Sequence, residues 1–510
     1  MYYEPYDTAC VPKTWNISDD LGQIEYVFSD KTGTLTQNIM EFQKCSIHGI
    51  AYGEGVTEAQ RGAATRDGKA DALDPAELTE KMANLKQHMI AIMERTFKNR
   101  YMQPSKLTLV SPKLAEHLAD KSSGQRSKAT AFFRALALCH SVLAERADPS
   151  LDPYLINYKA ESPDEAALVA AARDAGFPFL HKSKDTLEIE VMGQSEKYTL
   201  LRTLEFNSTR KRMSVIVRGP DGRLILYCKG ADSVIYERLS KDHDPVLKDQ
   251  TSKDMEMFAN TGLRTLCISY RYVDEEEYLT WSRLHDVATS AIENREEEID
   301  KANALIEHSL IILGATALED KLQEGVPEAI EMLHRAGIKL WILTGMAPSF
   351  SNFTINAFPG DKLQTAIEIG YSCNLLKQDM DVMILSADSV EQARSQIEAG
   401  LNKIASILGP PSWDTRKRGF VSGAKASFAA VIDGETLRYA LTPELKPLFL
   451  NLGTQCETVV CCRVSPAQKA LTVNLVCNSI TFGRFIWLIV PCEGQGRPER
   501  NDLVDWGWSK

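Results

Sequence analysis

The residues of this chain describe an α/β protein organised on a parallel sheet. Three observations carry that expectation. Residues 24–30 read as a buried strand ending in an acid: Ile24, Tyr26, Val27 and Phe28 are β-branched or aromatic, and Asp30 follows. From residue 309 onward, strand-like and helix-like runs alternate, the pattern of a parallel sheet with right-handed crossovers. Several of these strands end on polar groups, namely Asp30, Thr344, Asp433 and Arg463. Such a sheet gathers them along one edge, where its ligand crevice lies.

The stretch around Asp30 organises the rest. Lys31, Thr32, Gly33 and Thr34 form a polar loop after the strand. A carboxylate there can attack phosphorus and form an aspartyl phosphate. Two anions must meet for that step, so cations and fixed N–H dipoles are required. The loop offers backbone N–H groups, the Lys31 charge and two hydroxyls. The plainer reading is a strand-end loop with a solvated acid.

At 510 residues the length suggests about three domains of ~150 residues each. The chain is 44% apolar and 25% charged, ample for large cores. A formal net charge of −11 argues against a general nucleic-acid binder. The eleven cysteines are scattered without a Cys-x-x-Cys, as expected of reduced thiols rather than a disulfide framework or zinc site. The longest strongly apolar candidate, Phe485 to Val490, is far short of a transmembrane helix, and no leader peptide is evident. Taken alone, the chain is expected to be soluble and cytosolic.

Taken in order, residues 1–20 form an aromatic and polar lead-in. Glu41 to Ile47 is strand-like, residues 53–73 read as a surface loop, and residues 76–98 have helical composition. Residues 119–129 read as an exposed connection before a buried helix from Ala131 to Cys139. At Lys159 to Leu168, Ser162, Pro163 and Glu165 fit a capping box, which explains them without any ligand. Met213–Arg218 and Arg223–Cys228 form a hairpin around Gly219-Pro220-Asp221-Gly222. Phe206 with Arg210, Lys211 and Arg212 suits a nucleotide, the ring stacking a base and the cations facing phosphate. A core phenylalanine beside a solvated basic loop is the alternative. The acidic runs at Glu275 and Glu296 read as solvated helix faces. Leu310–Ala315, Ile338–Leu343, Phe428–Ile432 and Val459–Cys462 are the later strands, with helices at Glu324–Ala336 and after Pro466. No Gly-x-x-x-x-Gly-Lys-[Ser/Thr] occurs, which argues against a P-loop NTPase.

The heptapeptide Asp30-Lys31-Thr32-Gly33-Thr34-Leu35-Thr36 resembles the phosphorylation motif of P-type ATPases. Glu161 to Glu165, Lys229 to Asp232, Thr344-Gly345 and Arg463 to Lys469 follow in that family's order. Together they look like the cytosolic part of type IV P-type ATPases, the phospholipid flippases, and Trp15 to Gly22 is similar to the fungal Dnf class. The resemblance covers residues 1–476. It implies a haloacid-dehalogenase-like phosphorylation domain (residues 16–44 and 310–476) split by an α+β nucleotide-binding domain (residues 45–309). Asp30 would be the phosphorylated nucleophile, with Thr344 bonding the phosphoryl group and Lys469 neutralising it. Mg²⁺ would sit on Asp30 and the Thr32 carbonyl. ATP would meet Asp30, Lys31, Thr32, Glu165, Phe206, Lys229, Arg264, Thr344, Gly345, Asp361, Arg463 and Lys469. Phospholipid would be a partner only through membrane helices not found in this sequence, as would any accessory subunit. The whole transporter would sit in a membrane with these domains on its cytosolic face.

Four departures from the family stand out. The membrane helices and the dephosphorylating domain are absent. The family's Thr-Gly-Asp-Lys is interrupted after Gly345 by residues 346–359, resuming at Gly360-Asp361-Lys362. The family's Gly-Asp-Gly-Ala-Asn-Asp, which supplies further Mg²⁺ carboxylates, is missing. Residues 477–510 are unrelated and expected to be poorly ordered. Residues 346–359 and the tail each begin abruptly inside a motif, the mark of translated intron or a shifted frame; reads of the mature transcript that retain both would refute this. The sequence therefore supports an aspartyl-phosphorylating ATPase module or, alternatively, a nucleotide-binding remnant without turnover. A free-standing phosphatase of the haloacid-dehalogenase type fits less well, since it needs no ATP motifs.

Overall fold

Two large sheets of opposite character share the chain, with two further two-stranded pairings, residues 2–3 with 8–9 and 143–146 with 156–159. The computed structural model describes residues 2–3, 8–9, 24–69, 75–146, 154–207, 210–292, 294–345, 363–408, 426–479 and 485–489. Strand β1 (Ile24–Ser29) lies inside an all-parallel sheet. After Asp30 to Leu35 the chain leaves along β2 (Thr36–Ile47) into a nine-stranded antiparallel sheet.

That sheet grows by short hairpins, as local antiparallel pairing allows. After β3 (Ile50–Tyr52) come helices α1 (Glu58–Arg66), α2 (Pro75–Thr96), α3 (Pro112–Ala119), α4 (Gly124–Leu138) and α5 (Pro163–Asp174). Then follow β4 (Phe179–Ser183), β5 (Thr186–Val191), β6 (Gln194–Asn207), β7 (Arg212–Arg218) and β8 (Leu224–Gly230). Helix α6 (Pro245–Asn260), β9 (Arg264–Val273), α7 (Glu275–Thr289), α8 (Arg295–Ile306) and β10 (Ile311–Leu322) complete it. The strand order is β3-β2-β10-β9-β8-β7-β6-β5-β4. Strand period two divides its core. Met213, Val215 and Val217 face Phe132, Phe133 and Phe179 on one side, while Ile216, Leu226 and Cys228 meet Trp281 and Ile306 on the other.

The return to the parallel sheet runs through α9 (Val326–Arg335) and β11 (Lys339–Gly345). Beyond them lie α10 (Leu363–Ser372), β12 (Met380–Leu385), α11 (Val390–Leu408), β13 (Ser427–Asp433), α12 (Gly434–Ala440), α13 (Lys446–Gln455), β14 (Thr458–Val464), α14 (Pro466–Ser479) and β15 (Phe485–Ile489). The order is β12-β13-β14-β11-β1-β15, parallel throughout. Trp341, Phe28 and Phe428 fill one side. On the other, Ile367 of α10 packs with Val431 and Val460.

Four expectations change. Residues 36–44 and 311–322 belong to the antiparallel sheet, where β2 and β10 pair along their length, so β2 runs through the division expected at 44/45, and β10, which begins just after the one expected at 309/310, lies in the antiparallel sheet rather than the parallel one. Residues 53–73 contain helix α1, started by a reciprocal capping box between Thr57 and Gln60. The connection expected at 119–129 is already helical from Gly124. The tail is not wholly without order: residues 485–489 pair in parallel with β1, an apolar, strand-favouring run meeting an open sheet edge. Residues 346–362, and Asp361 with them, lie outside the described residues.

Candidate active site

The parallel register places the predicted strand ends level with one another. Ser29 lies opposite Ile342, Leu343 opposite Cys461, and Asp433 opposite Cys462. Asp30, Thr344, Arg463 and Asp433 therefore share one edge of the sheet.

Asp30 is fixed by its loop and by one distant cation. The Lys31 carbonyl accepts from the Leu35 and Thr36 amides at 2.9 and 3.1 Å, closing a tight turn. Gly33 takes φ 75° inside it, a conformation that favours glycine. The Lys31 amide donates to Asp30 Oδ1 at 2.7 Å. Lys469 Nζ lies 2.5 Å from Asp30 Oδ2. Lys469 comes from the first turn of α14, whose start is held by reciprocal bonds between Ser465 and Gln468. Gly345 makes room for it: a Cβ there would stand 2.7 Å from Lys469 Nζ. Thr344 is buried beside it and Thr32 is half-buried in the loop. Arg463 sits at φ 59° where β14 carries one extra residue against β11, a bulge at the site's rim.

The nucleotide candidates gather elsewhere. A cavity of about 280 Å³ is lined by Ser141, Ser162, Asp164, Glu165, Phe206, Met213 and Lys229, among others. Lys229 Nζ lies 2.6 Å from Glu165 Oε1. Glu165 Oε2 accepts from the Ser141 hydroxyl at 2.6 Å and the Ser141 amide at 3.2 Å. Burial works against the Glu165 charge. The Lys229 ammonium and the bonds from Lys229 and Ser141 outweigh it and hold the carboxyl well below the usual carboxylate range. The capping-box reading of Glu165 is thereby corrected: Ser162 occupies the N-cap but makes no side-chain cap bond, and Glu165 turns to Lys229 and Ser141 instead.

Sequence reasoning missed Ser141 and its neighbour His140. His140 is buried, and burial followed by the Lys229 charge pushes its pKa down to about 4, so it is neutral at pH 7. Its Nδ1 accepts from the Val142 amide at 3.1 Å, which leaves Nε2–H to donate to the Ala137 carbonyl at 2.9 Å. No local sequence signal marks either residue, because their partners lie on α4, α5 and β8.

Two further placements differ from expectation. Arg210 and Arg212 do not face a ligand or water. Both are buried, with Arg212 Nε 2.6 Å from the fully buried Glu307 and Arg210 Nη2 3.5 Å from it. Arg264 stands beside the cavity rather than on its wall. It pairs with Asp164 at 3.5 Å and with Asp320 at 3.9 Å, and it lines a small crevice with Lys31, Thr36 and Glu319. That chain of contacts joins the Asp30 loop to the cavity.

Glu319 in that crevice is half-buried, and desolvation chiefly raises its pKa to about 7; Glu58 and Glu41 add to this against the Glu58 amide bond. Its proton is held in the fold where the unfolded chain would lose it near 4.5. Stability from this group is therefore present below about pH 4.5 and lost as pH rises through 7. Glu319→Gln is expected to remove that dependence and to stabilise the protein at pH 8 by about 1–3 kcal/mol, read by urea titration at pH 5 and pH 8.

Known proteins resemble the chain over part or most of its length. Residues 128–325 match the family model described as P-type ATPase, cytoplasmic domain N. Phospholipid-transporting ATPase DNF1 of Chaetomium thermophilum is 47% identical over 490 residues, 94% of this chain and 30% of that protein. Phospholipid-transporting ATPase dnf2 of Schizosaccharomyces pombe is 47% identical over 489 residues, again 94% of this chain and 33% of the relative. Phospholipid-transporting ATPase 10 of Arabidopsis thaliana is 39% identical over 490 residues, 93% of this chain and 38% of the relative. Over nearly its whole length the chain is thus similar to phospholipid-transporting ATPases, and it spans about a third of the length of these curated relatives.

No helix among the described residues is long and apolar enough to cross a membrane. No group of three or more His, Cys, Asp or Glu side chains that could hold a metal occurs among them either. At Asp30 the donors are one carboxylate, already engaged by Lys469, and the loop carbonyls. Mg²⁺ requires about six oxygens in near-octahedral array, so the described residues do not fit Mg²⁺ without further ligands.

Proposed function

We propose that this chain is the ATP-binding and aspartyl-phosphorylating module of a phospholipid-translocating P-type ATPase. Its parallel sheet is read as a haloacid-dehalogenase-like domain, split by the antiparallel nucleotide unit. The observation that carries this reading is Asp30 at a parallel strand's end, with Lys469 2.5 Å away and Thr344 on the adjacent strand. In the proposed step an Asp30 carboxylate oxygen bonds to the γ-phosphorus of ATP. The bond to the bridging oxygen breaks, and ADP leaves with that electron pair. Lys469 offsets the gathering negative charge, and Thr344 donates to the moving phosphoryl oxygens. Phe206 stacks the base while Glu165 and Lys229 frame it. Phospholipid movement and any accessory subunit belong, in this reading, to the whole transporter. Mg²⁺ is the ion such chemistry uses.

The test is acid-stable, hydroxylamine-labile label from γ-labelled ATP, present in the parent and absent in Asp30→Asn. The sparse donor set at Asp30 favours one second reading, a nucleotide-binding module without turnover. Absence of label while ATP still raises the melting temperature would select it. In either case Ser141→Ala is expected to weaken ATP binding roughly tenfold, since it removes a hydrogen bond to a charged group worth about 1.5 kcal/mol. Calorimetric titration measures it, and an unchanged Kd would detach Ser141 from the site.

A further inference from the structure

Helix α1 belongs by sequence to the antiparallel unit but rests on the other one. Its Gly62 backbone meets α10 so closely that a Cβ there would lie 1.7 Å from the Glu368 carbonyl oxygen and 3.0 Å from the Ser372 amide. Ser372 Oγ donates to Glu58 Oε2 at 2.8 Å, and Gln378 Nε2 donates to the Thr65 carbonyl. Helix α10 in turn is packed on β13 and β14 through Ala366 and Ile367. The same α1 is tied to its own unit: Thr57 Oγ1 donates to the Thr261 carbonyl at 2.8 Å, and Ala59 packs where Gly262 lacks a side chain. Its first amide, Glu58 N, donates to Glu319 on crossing strand β10 at 2.7 Å.

The two units are joined covalently at only two places, Asp30 to Leu35 and Gln323 to Gly325. Those adjacent links alone would permit a hinge. A third attachment off that axis fixes its angle. We infer that α1 is a releasable clasp that holds the nucleotide unit at one angle to the Asp30 sheet and must let go of α10 when the units move. Its character fits release. The contact is a glycine on a carbonyl plus a few hydrogen bonds, with Arg66 only 3.9 Å from Glu368 and partly exposed. Such contacts open more cheaply than an apolar core.

The test is Gly62→Val in the full chain. Any Cβ must push α10 away, so hydrogen exchange in residues 363–372 is expected to speed at least tenfold. Small-angle scattering should show a larger radius of gyration, while β7–β8 and β13–β14 stay protected. Loss of protection in those strands would signal misfolding instead. Ser372→Ala with Gln378→Ala, which adds no bulk, then carries the test, with the same direction and a smaller effect. Unchanged exchange in α10 and unchanged scattering in the variant that keeps its strands would overturn the clasp. Its consequence for Asp30 rests on the function proposed above: release is expected to change the labelling rate severalfold with ATP affinity kept within twofold. The exchange and scattering arms need no nucleotide, so they judge the clasp even if no label forms.

Discussion

Lys469→Gln is expected to slow labelling of Asp30 by about a hundredfold or more, with ATP affinity within twofold of the parent. The attacking group is an anion and its target carries several negative charges. Preorganised cations and dipoles at such a point are worth about 10²–10³ in rate. Lys469 is the ammonium that touches the Asp30 carboxylate, and its place is built rather than incidental. Ser465 and Gln468 fix the start of its helix, Gln468 Nε2 donates to the Gly434 carbonyl at 2.6 Å, and Gly345 leaves space for its amine. The cavity around Phe206 does not include Lys469, so binding should survive the change.

A merely structural ion pair gives a different result. Both side chains are about a quarter exposed, and pairs of that kind contribute about 0–1 kcal/mol. If stability were the whole role, Lys469→Gln would lower the melting temperature slightly and leave the labelling rate of folded protein alone. Gly345→Ala supplies a second reading of the same idea. Its methyl group would displace the amine without removing the charge, so the rate should fall by less than in Lys469→Gln.

The Asp30 edge was legible because its parts are local. A β-branched and aromatic run, an acid and a glycine-bearing turn lie within a dozen residues, and the strand-ending groups Thr344, Asp433 and Arg463 each close an apolar run. Parallel register then aligned them without further information. What escaped was set by contacts distant in sequence. Glu165 matched a capping box, yet Lys229 and Ser141, far from it in the chain, claim its carboxylate. Arg210 and Arg212 looked solvated because the acid that buries them, Glu307, lies about ninety residues on. Residues 53–73 looked like a loop because four glycines and several charges mask helix α1. Gly62 is there for close backbone approach to α10, which no local pattern announces.

Glu307→Ala is expected to produce the largest loss of stability, about 3–5 kcal/mol in the unfolding of the nucleotide unit. Glu307 is fully buried and its two oxygens are shared among Arg212 Nε at 2.6 Å, Ser214 Oγ at 2.5 Å and Arg210 Nη2 at 3.5 Å. Burial lowers the Arg210 pKa, with Glu307 acting against this and Arg212 with it, so the carboxylate is what makes two adjacent guanidiniums tolerable. Asp300, 3.6 Å from Arg210 Nε, and nearby carbonyls do not replace it. Removing one partner of a buried charged group strands the others, and that is the costly case. Glu307→Gln keeps an acceptor and should fall between parent and alanine variant in urea titration. The damage should also reach the cavity. Arg212 pairs with Gly230 and Met213 with Lys229 across β7 and β8, so a disturbed Arg212 moves the strand that presents Lys229 to Glu165. Weaker ATP binding in the folded fraction should therefore accompany the lost stability, and an alanine variant within 1 kcal/mol of the parent would mean that water reaches both guanidiniums.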